Sequence, residues 1–198
     1  MKTIVIASNN KHKLKEFKEM LKGYNVVSLK DIGFEDEIEE NGNSFEENAT
    51  IKVNAVLKYL KNKIISADMV LADDSGLCVP ALDGAPGVFS ARYAGEHGND
   101  QANRDKLRRE LIGKDKKAYF VCDIVLYDEN GKYHTYEGRT YGEIIDEERG
   151  SKEFGYDCIF YSDELEKTFG EAAEEEKNEV SHRGRAIKEM FKNINIKH

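Results

Sequence analysis

Apolar residues along this chain come in two rhythms. Thr3-Ile4-Val5-Ile6-Ala7, Tyr24 to Leu29 and Met69-Val70-Leu71-Ala72 are short apolar runs bounded by polar residues, the pattern of β-strands. Between them the spacing changes to that of helices. Leu14, Phe17 and Leu21 share one face after the first strand, and Phe45, Ala49, Val56 and Leu60 share another. Ser44-x-x-Glu47 opens that second helix as a capping box. A further helix is predicted from Asp100 to about Leu111. Ala118 to Tyr127 then reads as a long strand, which Asp128-Glu129-Asn130-Gly131 turns into a second, Tyr133 to Ile145. The pair predicts an antiparallel hairpin and hence a mixed sheet. Strands alternating with amphipathic stretches place the chain in the α/β class.

Length and charge narrow the class further. A chain of 198 residues with no Pro/Ser-rich or low-complexity linker is expected to form a single domain over 1–198, or two lobes of one. With 39% hydrophobic and 34% charged residues it reads as folded and soluble, and no apolar run approaches the ~20 residues of a membrane span. The formal charge of −8 argues against broad attraction to nucleic acid or acidic membranes, while local cations can still bind a small polyanion. Cys78, Cys122 and Cys158 lie far apart without zinc-like spacing, so reduced thiols in a cytoplasmic protein are expected. His97, His134 and His198 have no metal-like neighbours in the sequence.

Four segments carry candidate chemistry. The polar turn Ser8-Asn9-Asn10-Lys11-His12-Lys13 leads from strand into helix, a common way to hold phosphate, although the glycines of a P-loop are absent. Asp73-Asp74-Ser75-Gly76 follows an apolar strand and reads as a turn that presents two carboxylates to a metal or a water. Phe154-Gly155-Tyr156-Asp157, after Gly150-Ser151, reads as an exposed turn able to stack on a flat ring; the alternative is a pair of core aromatics. Finally, Ser181 can cap a helix, gathering Lys177, His182 and Arg183 around its N-terminus, where N–H donors favour an anion or an acceptor-rich ring. The bland alternative for that trio is a basic helix start on a solvated face.

Together these segments resemble the inosine triphosphate pyrophosphatase family, enzymes that remove non-standard purine nucleoside triphosphates. The resemblance covers nearly the whole chain. It also takes in Glu39-Glu40-Asn41-Gly42, Ser44-Phe45-Glu46-Glu47-Asn48-Ala49 and Gly84-Ala85-Pro86-Gly87-Val88-Phe89-Ser90-Ala91-Arg92-Tyr93. One departure is Cys158, where the family usually has proline, a change expected to touch loop stiffness more than chemistry.

The resemblance implies a long, twisted mixed β-sheet with flanking helices and two lobes around a central nucleotide-binding cleft. It also implies cleavage between the α- and β-phosphates, and a homodimer. Mg²⁺ is the expected cofactor, since it is commonly held by one or two carboxylates plus substrate phosphates. Asp74 is the expected general base and metal neighbour. Asp73 could orient it, bind metal or complete the turn. Glu39, Glu40 and Glu47 are candidates for a second metal carboxylate; Glu39 and Glu47 are carried forward, with helix capping as the competing role for Glu47. Ser8, Asn10, Lys13 and Ser75 are the expected phosphate partners within a substrate-binding turn that includes Asn9, Lys11 and His12. Lys52 is either a further phosphate contact or a solvated helix lysine, and Arg92 serves either the phosphates or an acid. Phe154, Gly155, Tyr156 and Asp157 fall to the base and sugar, and Lys177, His182 and Arg183 to the base. A related pyrophosphatase with another base preference, and a non-catalytic nucleotide-binding protein, are the competing readings.

Overall fold

The structure, a computed structural model, describes residues 1–193; His198 lies outside them. The first strand, β1 (Thr3–Ile6), is followed by α1 (Lys11–Met20) and β2 (Asn25–Ser28). The Asn10 side chain starts α1 by accepting the N–H groups of His12 and Lys13 at 3.0 and 3.1 Å. Next come α2 (Phe45–Lys63), β3 (Met69–Cys78), α3 (Asp100–Glu110), β4 (Lys117–Tyr127) and β5 (Tyr133–Ile144). The chain ends through β6 (Phe160–Ser162), β7 (Lys167–Thr168), α4 (Glu174–Val180) and α5 (His182–Asn193).

Among the described residues seven strands form one sheet in the order β2-β1-β3-β4-β5-β6-β7. β1 pairs in parallel with β2 and with β3, whereas β6 runs antiparallel to β5 and to β7. β4 and β5 are joined through residues 128–132 alone, a connection only antiparallel neighbours allow. Asp128 closes that turn by accepting the N–H groups of Asn130 and Lys132, both at 2.9 Å. The mixed sheet and its flanking helices are therefore as the residue pattern predicts. Burial follows the same pattern: β5 alternates strictly between exposed and buried positions over its last eight residues, while β3 is buried at most positions.

One expected boundary is wrong. Asp73-Asp74-Ser75-Gly76 is not a turn but the middle of β3, which continues to Cys78. The composition is that of a turn, yet β3 lies between β1 and β4 in the sheet, and tertiary pairing overrides the local preference. The consequence is geometric, because successive side chains of a strand point to opposite faces. Asp73 and Ser75 therefore share one face and Asp74 takes the other.

The chain divides into two compact units. The first comprises Met1–Asp74, Asp123–Glu137 and the chain from Ala186; the second comprises Ser75–Cys122 and Gly138–Arg185. Each has its own apolar core. In the first, Val53, Val56 and Leu60 of α2 pack with Val5, Val70 and Val125 of the sheet. In the second, Leu107 and Leu111 pack with Phe120, Phe160 and Phe169. Cys158 belongs to this second core and is almost fully buried, so the residue that departs from the family pattern is a packing residue.

Within the second unit α4 and α5 meet at Gly184. A Cβ there would lie 1.9 Å from the Asn178 carbonyl oxygen, a backbone atom with little freedom to move. Gly184→Ala is expected to lower stability by about 1–3 kcal/mol, the usual range for overpacking, in urea unfolding followed by circular dichroism. Wild-type stability in the variant would show that the two helices can separate without loss.

Candidate functional site

In the first unit, two lysines and two aspartates converge on β3. Lys13, on the third residue of α1, places its Nζ 3.0 Å from Asp73 Oδ2, and Asp73 is 2% exposed. Lys52 lies two turns into α2. Its Nζ is 2.5 Å from Glu40 Oε1 and 3.8 Å from Asp74 Oδ1, and it donates to the Asp73 carbonyl at 2.7 Å. Lys52 is thus not a solvated helix lysine. One turn earlier on the same helix, buried Asn48 donates to Asp74 Oδ2 at 3.0 Å and accepts the Gly42 N–H at 2.8 Å.

This arrangement sets the charge states. Burial pushes the Asp74 carboxyl above the ordinary carboxylate value, and nearby Glu40 adds to that, while Lys52, Lys13 and the Asn48 hydrogen bond oppose it. For Lys52 burial acts in the opposite sense and lowers its pKa. Asp74, Asp73 and Glu40 outweigh burial, so the net shift is upward and Lys52 stays protonated.

The two carboxylates carried forward from the sequence both lie at the surface. Glu39 is exposed. Glu47 is exposed as well, and its Oε2 accepts the Asn43 N–H at 2.6 Å while its own N–H donates to Ser44 Oγ at 3.1 Å. Its carboxylate thus caps the helix, one residue further back than in a standard capping box. Glu40 is the acid that meets Lys52. The helical spacing of Asn48 and Lys52, four residues apart, was the signal that both reach one strand. Gly42 makes the approach possible, for a Cβ there would lie 2.8 Å from both Asn48 Oδ1 and Glu47 Cβ.

Ser8 Oγ accepts the Asn10 N–H at 3.1 Å, so these two residues shape the turn. Asn9, Asn10 and Lys11 are exposed, and Ser8, His12 and Lys13 are half-buried.

In the second unit the basic trio is buried, which rules out a solvated helix start. Lys177, His182 and Arg183 are 7%, 5% and 1% exposed. Ser181 Oγ accepts the Gly184 N–H at 3.0 Å and so caps α5 as predicted. Arg183 Nη2 donates to Ser75 Oγ at 3.1 Å. Lys177 Nζ sits 2.6 Å from Asp157 Oδ2 and 4.7 Å from the centre of the Phe154 ring. His182 stacks on Phe120 with ring centres 4.8 Å apart and planes 13° from parallel.

The Phe154–Asp157 segment is only partly the exposed turn its glycines suggest. Phe154 and Gly155 are half-buried, but Tyr156 is a core aromatic whose hydroxyl donates to the Ser90 carbonyl at 2.7 Å. Burial dominates there because the tyrosine ring packs with the second unit's core. Arg92 lies over the ring of Phe89 at 5.2 Å.

Because Lys52 balances several acids, Lys52→Met is expected to destabilise the protein by about 3–5 kcal/mol near neutral pH, the cost of leaving a buried charge uncompensated. A lysine whose folded pKa is raised contributes stability that is full below its ordinary 10.5 and lost as pH rises through the folded value. The gap between wild type and variant should therefore persist through about pH 9 and close above roughly pH 10.5. Urea unfolding in EDTA measures this; a gap that is small at neutral pH would remove Lys52 from its central place.

Three kinds of comparison relate the chain to known proteins. A family model described as the Ham1 family matches residues 4–193. The chain is 47% identical to the dITP/XTP pyrophosphatase of Clostridium perfringens over 98% of both chains. It is 48% identical to that of Bacillus subtilis, over 97% of this chain and 96% of the relative. Among solved structures, the Ham1 protein of Staphylococcus aureus superposes with a TM-score of 0.82 at 42% identity, covering 96% of each chain. A family-model match over residues 4–193, and relatives similar over almost their full length, leave one conclusion: this chain belongs to the Ham1 family.

Proposed function

We propose that this protein hydrolyses the triphosphates of hypoxanthine and xanthine nucleosides, including deoxyinosine triphosphate, to the monophosphate and pyrophosphate, and so clears them from the cytoplasmic nucleotide pool. The observation that carries this reading is on β3. Two consecutive residues there, both in the first unit, supply a carboxylate paired with Lys13 and a carboxylate facing Lys52. The name dITP/XTP pyrophosphatase, borne by the relatives, supports it. Among the described residues no helix is long and apolar enough to cross a membrane.

Asp74 is the proton acceptor for the attacking water. A general base works best with a pKa near the operating pH, and burial moves Asp74 in that direction. Asn48 holds one of its oxygens, which orients the other. Lys13 and Lys52 supply positive charge for the phosphates, with Ser8 and Asn10 shaping the turn beside Lys13. The oxygen donors of Asp74 and Glu40 fit Mg²⁺, which needs only one or two carboxylates besides phosphate oxygens. Bound there, it would neutralise phosphate charge and acidify the water.

For the base, Arg183, His182 and Lys177 offer donors, whereas hypoxanthine and xanthine present an acceptor oxygen at C6 and adenine a donor amino group. A site built on hydrogen bonds can reject such a mismatch by about 10⁴–10⁵. Guanine shares the C6 oxygen and must be refused at C2, where it alone carries an amino group. Phe154, half-buried beneath Lys177, is a stacking surface for the ring.

The direct experiment measures pyrophosphate release and kcat/KM for inosine, xanthosine, adenosine and guanosine triphosphates with Mg²⁺. The first two should be cleaved well and the others poorly, and Asp74→Asn should lower kcat by about 10²–10⁴ with the fold intact. Equal cleavage of adenosine and inosine triphosphates would defeat the base assignment, and near wild-type turnover of Asp74→Asn would defeat the catalytic one.

A homodimer is part of the same proposal, burying about 1,200 Å² or more in total. Light scattering at micromolar concentration should return twice the chain mass; a monomeric mass would refute it.

A further inference from the structure

Gly155 is gripped from one helix at both of its backbone polar groups. Its N–H donates to Asp100 Oδ2 at 3.0 Å, and its carbonyl accepts from Arg104 Nη1 at 2.7 Å. Asp100 and Arg104 are four residues apart, one turn of α3, so a single helix face carries both halves of the grip. We infer that Asp100 and Arg104 are positioning residues that aim Phe154 at the purine base by fixing the backbone of Gly155, an inference that rests on the function proposed above.

The pair is built for rigidity. Arg104 is 3% exposed, and its other nitrogens are committed: Nε donates to Glu148 Oε1 at 3.1 Å and Nη2 to Gln101 Oε1 at 3.0 Å. Lys152 and Arg108 also reach Glu148, at 3.1 and 3.2 Å. Burial alone would raise the Glu148 carboxyl, but Lys152, Gln101 and Arg104 outweigh it and hold it down at about 2. Glu148 therefore stays ionised at physiological pH and keeps the Arg104 guanidinium from rotating away.

What is gripped is a conformation that glycine adopts without strain and other residues rarely do. Gly155 has φ of +53°, in the left-handed region, although a Cβ there would meet no atom within 4 Å. The glycine is required by the backbone angle and not by crowding. Further along, Tyr156 is tied to Ser90 and Asp157 to Lys177, while the Asp157 N–H donates back to the Phe154 carbonyl at 3.1 Å. Each residue after Phe154 is thus anchored, and the direction of the half-buried Phe154 ring is inherited from this frame. A carboxylate and a guanidinium on one rigid helix hold the Gly155 end of it in place, as a supporting shell must if a site is to be preorganised.

The test compares Asp100→Ala, which removes the acceptor, with Asp100→Asn, which keeps a side-chain oxygen. Arg104→Lys, which retains a charge beside Glu148, guards against loss of fold. KM for inosine triphosphate should rise about tenfold in Asp100→Ala and Arg104→Lys with kcat changed less than about twofold, as for loss of ground-state positioning. Inhibition by inorganic tripolyphosphate, which has no base, should be unchanged. Asp100→Asn should recover most of the affinity. Hydrogen exchange at the Gly155 amide should quicken in Asp100→Ala and not in Asp100→Asn. An unchanged KM in Asp100→Ala overturns the inference, as does an equal loss of tripolyphosphate inhibition, which would mean general damage. Wild-type protein that neither cleaves inosine triphosphate nor binds inosine monophosphate would instead overturn the proposed function, and exchange at Gly155 would still decide whether the pair holds the turn.

Discussion

The first unit is organised around one buried ammonium. Lys52 touches Glu40 from the acidic loop, the backbone carbonyl of Asp73 and the carboxylate of Asp74, so a single side chain links a helix, a loop and a strand. Remove its charge and Glu40, Asp73 and Asp74 are left with far less to balance them. Lys13 neutralises Asp73 from another helix, but its contact is with that one acid. The placement of Asp74, the residue best suited to chemistry, is therefore inseparable from the ionisation of Lys52. Asn48 adds direction to this balance, since it holds the second oxygen of Asp74 and, through Gly42, the loop that bears Glu40.

The second unit buries charge for a different purpose. Lys177 and Asp157 form a close pair, and Arg183, almost fully buried, donates to the Ser75 hydroxyl. Taking such groups out of water is expensive, and well-packed apolar residues would usually serve stability as well or better. On the function proposed above, the donors of these buried groups serve the base, which gives a reason for the cost. The aromatic stack beneath them, His182 on Phe120 with Phe160 and Phe169 alongside, holds the start of α5 against the core and keeps those donors in fixed positions.

Much of this was legible in the sequence because the relevant signals are local. The apolar periods located β1, α1, α2, α3 and the β4–β5 hairpin to within a few residues, and Ser181 announced the cap of α5. Three things were hidden, each by tertiary context. Asp73 to Gly76 has the composition of a turn, yet it continues β3 because the sheet supplies neighbours there. Tyr156 sits among turn glycines, yet its ring is core. Glu40 could not be separated from Glu39 by chemistry, since adjacent acids in an irregular loop differ only in which way the loop faces. Lys52 is the instructive case: as one of many lysines it read equally as a phosphate contact or a solvated residue, but its four-residue spacing from Asn48 placed both on one face of α2.

The electrostatics of Asp74 explain why such a cluster persists although stability alone would not select it. Its folded pKa lies above its ordinary value of 3.8, so the folded state binds more protons than the unfolded state in the interval between the two. Stability therefore falls as pH rises through the folded value, and at neutral pH the ionised carboxylate is a net burden on the fold. Lys52 and Lys13 reduce that burden without cancelling it, because burial is the largest contribution. A carboxylate kept partly desolvated in this way is a stronger proton acceptor than one in water, and two adjacent ammonium groups are positioned to receive a polyanion. On the function proposed above, the imbalance that costs stability is what a bound triphosphate and its cation would relieve or use, so the energetic tension of the first unit falls where that reaction needs it.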